Sequence, residues 1–67
     1  MTDTALLEQY RKKAGVSVTF LCSEIGISRQ SWYDKANNKR EFKASEIEKT
    51  CTVLHIPNND RPNVFFA

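Results

Sequence analysis

Residues 18–37, VTFLCSEIGISRQSWYDKAN, constrain this chain more than any other stretch. Leu21, Cys22, Ile25 and Ile27 place apolar side chains on either side of Gly26, and a Ser-Arg-Gln-Ser run then leads into Trp32. Two short helices pack this closely only if a small residue faces the partner and the chain reverses through a residue that tolerates positive φ. Cys22 supplies the first and Gly26 the second. Ser28 is placed to cap the second of the two helices, its hydroxyl accepting from amides left free in the first turn. The reading is a helix-turn-helix.

The flanking pattern is helical from end to end. Leu6, Tyr10 and Ala14 recur every four residues with Leu7 beside them, which predicts an amphipathic helix over 4–14. Arg11, Lys12 and Lys13 suit the negative end of its dipole, and Gly15 ends it. Ser17 is placed to cap a helix from residue 18. The helix after Gly26 is expected over 29–37, leaving through Asn37-Asn38, with Trp32 and Ala36 facing inward. Phe42 reads as an apolar plug. Ile47, Cys51 and Leu54 mark a fourth helix over 44–55, stopped by Ile56-Pro57. No strand alternation, internal repeat or low-complexity stretch occurs. The expected fold is all-α, with Leu21, Cys22, Ile25, Ile27, Trp32, Ala36, Ile47, Cys51 and Leu54 in one core.

Sixty-seven residues bound the chain to a single domain over 1–67, burying only about 60% of its unfolded surface. No apolar run approaches the roughly 20 residues of a membrane span, and Met1-Thr2-Asp3-Thr4 lacks a signal peptide's basic start. The expectation is a soluble, cytoplasmic protein. Cys22 and Cys51 fit it, each alone on an apolar helical face and read as a reduced core residue. One histidine, His55, and two separated cysteines make no zinc set. Nucleophile motifs and Gly-rich phosphate loops are absent, so neither an enzyme nor a cofactor is expected. Glu46 and Glu48 are read as solvating the fourth helix.

The net charge of +2 carries little, but its distribution is informative. Residues 1–25 balance three basic against three acidic side chains. Residues 26–43 set Arg29, Lys35, Lys39, Arg40 and Lys43 against Asp34 and Glu41, an excess of three positive charges. The positive charge lies on and after the second helix of the motif, where phosphates run when such a helix enters the DNA major groove.

From Leu6 to Leu54 the chain resembles the small Cro/C1-type helix-turn-helix regulators, and among them short ones of temperate phages of Gram-positive bacteria. The matching text is LLEQYRKKAG, LCSEIGIS, the Trp-Tyr-x-Lys-Ala-Asn-Asn-Lys run ending at Phe42, SEIEKTCTVLHIP and a terminal Phe-Phe. The resemblance implies a lambda-repressor-like bundle of four to five helices, in a bacterial host, acting in the choice between lysis and lysogeny. It implies operator duplex DNA as partner, with Ser28, Arg29, Gln30, Tyr33 and Asp34 facing the groove. Thr19, Asn37, Asn38, Lys39 and Arg40 would hold phosphates. Gln30 suits adenine, Arg29 guanine or a phosphate, and an acid such as Asp34 a cytosine amino group.

Two positions depart from the family's habit, and a third, Asp34, puts a negative charge on the face that would meet DNA. Val18 stands where a phosphate-contacting Gln is common, and Phe20 where an acidic residue is common. Apolar groups there suit a protein partner, and the chain is also similar to the modulator of repression of temperate lactococcal phages, an antirepressor that binds the phage repressor. Val18, Phe20, Arg29 and Lys35 would then form the contact surface. Val64, Phe65 and Phe66, in the tail over 57–67, are a second candidate, the alternative being a lid that folds back over the core. Homodimerisation is left open, and no membrane or small-molecule substrate is expected.

Overall fold

The computed structural model describes residues 1–67 as five helices and no strands: α1 (Thr4–Ala14), α2 (Val18–Ile25), α3 (Arg29–Ala36), α4 (Ala44–Leu54) and α5 (Arg61–Phe65). Local chemistry sets each boundary. Asp3, Ser17 and Ser28 lie in extended backbone and accept from Leu6, Phe20 and Ser31 amides at 3.0, 3.0 and 3.1 Å, satisfying donors that a helix start leaves free. Gly26 ends α2 at φ 87°, its amide bonded 2.8 Å from the Cys22 carbonyl. His55 ends α4 in the same left-handed region at φ 55°, so it serves as a backbone cap beyond the helix.

The helices close around one apolar cluster. Leu7, Leu21, Cys22, Ile25, Trp32, Ala36, Ile47, Cys51, Leu54, Ile56, Val64 and Phe65 are buried in it. On α1 the inward face is centred on Leu7, with Leu6, Tyr10 and Ala14 half-buried beside it. Ile27, expected in the core, is half-buried at its edge. Helix α2 lies between α3 and α4, while α1 packs on α4 and α5. Phe42 holds the α3–α4 loop down, its ring edge-on to Trp32 at 5.5 Å and to Phe65 at 5.3 Å, an arrangement that aromatic quadrupoles favour.

Three sequence expectations need correction. Lys35, expected on a basic outer surface, is 5% exposed, and its Nζ donates to both Glu46 carboxylate oxygens at 2.6 and 2.7 Å. Glu46, expected in solvent, is 7% exposed and also accepts from the Lys43 amide at 2.9 Å. Its oxygens turn back over the start of α4 because that end offers free amides and a cation. Val64 and Phe65, candidates for a protein contact, are buried in the core, and only Phe66 remains exposed. The short α5 carries them there, anchored by the Tyr10 hydroxyl, which donates to Asp60.

The N-terminal residues tie these parts together. The Asn38 side chain accepts from the Thr2 amide at 2.7 Å and donates to the Thr2 carbonyl at 3.0 Å. The Asp3 amide donates to the Val64 carbonyl at 2.7 Å, and the Ala67 amide to the Met1 carbonyl at 2.9 Å. Asn38 itself sits at φ 66°, a conformation that Asn adopts more readily than most residues. The exit of α3 and the end of α5 are thus fastened to one strap.

Two stability predictions come from this packing. Cys22, 4% exposed, lies where α2 meets the turn into α3, its Sγ 3.8 Å from the Ser28 carbonyl. Cys22→Leu should overpack that crossing and cost about 1–3 kcal/mol, read as a lower thermal midpoint; an unchanged midpoint would contradict the close approach. Burial pushes the Glu46 carboxyl up, but the Lys35 ammonium and the Lys43 amide outweigh it and hold it below 4.5. The stability Glu46 contributes is therefore whole above about pH 4.5 and is lost as pH falls through its lower folded value. Arg11 beside Glu8, and Tyr10 with Asn63 beside Asp60, lower those two carboxyls as well. Glu46→Gln strands a buried cation and should cost about 3–5 kcal/mol, with a shallower loss of stability on acidification. Lys35→Met combined with Glu46→Leu should recover most of that loss, and thermal melts at neutral and acid pH check both.

Candidate nucleic-acid interface

Helix α3 divides along its length by the 3.6-residue period. Trp32, Lys35 and Ala36 are buried on one side, while Arg29, Gln30, Tyr33 and, just past the helix end, Asn37 are exposed on the other. The two halves of that division depend on each other. Trp32 in the core and Lys35 on Glu46 fix the rotation of the helix, and the rotation decides which side chains reach solvent.

Ser28 and Arg29 open this face. The Ser28 Oγ is occupied as an acceptor by the Ser31 amide, which leaves its hydroxyl hydrogen free to donate. Arg29 is exposed and takes part in no ion pair, and Tyr33 is 48% exposed. Gln30 and Asp34, one turn apart, are joined: Nε2 of Gln30 donates to Oδ1 of Asp34 at 3.0 Å. The other Asp34 oxygen faces Nε of Arg40 at 4.0 Å, and the Arg40 guanidinium donates to the Ser31 hydroxyl at 2.5 Å. The negative charge of Asp34 is therefore set against a cation rather than left open on the face.

The backbone after α3 is equally determined. The Asp34 carbonyl accepts from the Lys39 amide at 2.7 Å and from the Arg40 amide at 3.2 Å, which wraps the loop back beside the helix. Lys39 and Arg40 are exposed there. Asn37 is exposed and donates through its side chain to the Tyr33 carbonyl at 2.9 Å, closing the helix end. Asn38, expected beside a phosphate, spends both ends of its amide on Thr2.

On α2, Thr19 is exposed at the second helical position, Val18 is half-buried against the core, and Phe20 is 50% exposed. Ser31 and Glu46 are the residues that sequence reasoning missed. Ser31 couples α3 to the Arg40 loop, and Glu46 fixes α3 through Lys35. A signal for Glu46 does exist, since it stands three residues after the Lys43 cap, the spacing at which a carboxylate turns back to a helix start.

The remaining reactive groups are kept out of play. Burial pushes both the Cys22 and Cys51 thiols up, and the two are unpaired in the core. No group of three or more His, Cys, Asp or Glu converges to hold a metal ion, and no helix is long and apolar enough to cross a membrane.

The family model of the Cro/C1-type HTH DNA-binding domain matches residues 7–60, from the core of α1 to the start of α5. Comparison with curated proteins and with solved structures yields no match. The matched region contains the two capped helices, the Gly26 turn, and the α4 that carries Glu46. This chain belongs to the Cro/C1-type helix-turn-helix DNA-binding family.

Proposed function

We propose that this chain regulates transcription by laying α3 in the major groove of an operator duplex, in the lysis–lysogeny choice of a temperate phage. The observation that carries the reading is the exposed face of α3, where Ser28, Arg29, Gln30 and Tyr33 stand together with Lys39 and Arg40 at one edge. Thr19, at the start of α2, is the further phosphate contact. The phage setting rests on the resemblance of the sequence to short regulators of temperate phages. Within this reading, side chains on α3 specify bases, while Thr19, Asn37, Lys39 and Arg40 hold the backbone in register.

Phe20 favours a second reading. Half of its surface is exposed on α2, where water gives it no compensation. Burying a large apolar side chain contributes about 1.5–3 kcal/mol, and aromatic anchors dominate interfaces. An antirepressor would place Phe20, Val18 and Arg29 against the phage repressor and keep that repressor off its operator.

The two readings separate by mutation. Under the first, Arg29→Ala and Gln30→Ala should each cost about 1–3 kcal/mol on a preferred duplex and relax sequence preference. Lys39→Ala should weaken binding to all duplexes alike and flatten the dependence on salt. Absence of salt-dependent duplex binding at micromolar protein would overturn that reading. Under the second, Phe20→Ala and Phe20→Glu should abolish capture of the repressor while circular dichroism shows helical content unchanged. Repressor binding at wild-type strength in both variants would leave Phe20 as part of the fold alone.

A further inference from the structure

The geometry points to Asp34 as a specificity-determining positioning residue, one that fixes the amide of Gln30 so that α3 reads adenine and rejects guanine. The inference rests on the DNA-binding reading and deepens it. An ionised carboxylate accepts hydrogen bonds and donates none. The Gln30 amide, one turn away, can therefore satisfy Asp34 only with its nitrogen turned inward, as found at 3.0 Å between Nε2 and Oδ1. The oxygen of the amide is left outward beside the second Nε2 hydrogen.

That outward pair is one acceptor and one donor. Adenine presents the complement in the major groove, with its N6 amino group as donor and N7 as acceptor, whereas guanine presents two acceptors, O6 and N7. A free glutamine can swing both Nε2 hydrogens toward guanine. Here one of them is held by Asp34, so that mode is closed, and Oε1 would meet O6 as acceptor against acceptor. Asp34 is itself held for this task. Its second oxygen faces Arg40 at 4.0 Å, its carbonyl carries the Lys39 and Arg40 amides, and its side chain is one-quarter exposed.

The test begins with selection of duplexes from a randomised pool by the wild-type protein. An adenine should be enriched within the preferred site, and exchanging that A·T pair for G·C should weaken binding by ~5- to 150-fold. Gln30→Ala should bring the ratio near one. Asp34→Asn keeps the shape but can both donate and accept, so the Gln30 amide is free to turn; the ratio should collapse toward that of Gln30→Ala. Losing the negative charge should at the same time tighten binding to every duplex, which leaves the ratio as the diagnostic quantity. Asp34→Glu, still acceptor-only, should retain adenine preference. Circular dichroism of each variant establishes that it is folded. An adenine preference that survives Asp34→Asn, or that survives Gln30→Ala, overturns the inference and leaves DNA binding standing. A wild-type selection that enriches no duplex overturns the DNA-binding reading and the inference with it.

Discussion

The buried pair between Lys35 and Glu46 is the interaction on which the exposed face of α3 depends. A lysine and a glutamate taken out of water are costly unless each finds the other and their remaining hydrogen-bonding capacity is met. Glu46 meets that condition twice, with the Lys35 ammonium on both oxygens and the Lys43 amide on one. The same carboxylate therefore begins α4 and grips α3. An apolar pair would bury as well but could slide or rotate. The ionic pair adds two directional hydrogen bonds at 2.6 and 2.7 Å, and Trp32, one turn earlier on α3, is buried in the core on the same side of the helix.

From that rotation the rest of the face is determined. With 32, 35 and 36 turned inward, 29, 30 and 33 turn outward, and Asp34 falls at the margin, where it can reach both Gln30 and Arg40. The loop after α3 is held by the Asp34 carbonyl on one side and by the Asn38 clasp on Thr2 on the other. The strap from Thr2 to Asp3 then connects this loop to Val64, at the far end of the chain. A core of twelve apolar residues in a chain this short gains from such closure, because each end that is tied down removes conformational freedom without needing more apolar area.

How much of this was legible in the sequence follows from the range of each interaction. The starts of α2 and α3 and the ends of α1 and α2 were, because Ser17, Ser28, Gly15 and Gly26 act within a few residues of themselves. Trp32, Ala36 and Phe42 also read correctly as inward, since apolar spacing reports burial directly. The partnership of Lys35 with Glu46 was not legible, because it joins two helices across eleven residues and each charge alone looks like a surface group. Asn38 and Thr2 are separated by thirty-six residues, and nothing local in either announces the other. Val64 and Phe65 were ambiguous because α5 has five residues, too few to show a helical period that separates lid from interface.

Titration of isotope-labelled protein with a short random-sequence duplex, followed by backbone amide shifts, tests the central claim most directly. Non-specific binding at low salt falls within reach of the protein concentrations that such spectra require. The account predicts shifts at Thr19, at Ser28 to Asp34 and at Lys39 and Arg40, reversed by added salt, while amides on the outer side of α4 around Glu48 and Thr52 stay in place. Shifts absent at low salt, or gathered on α4 and α5 instead, would contradict it.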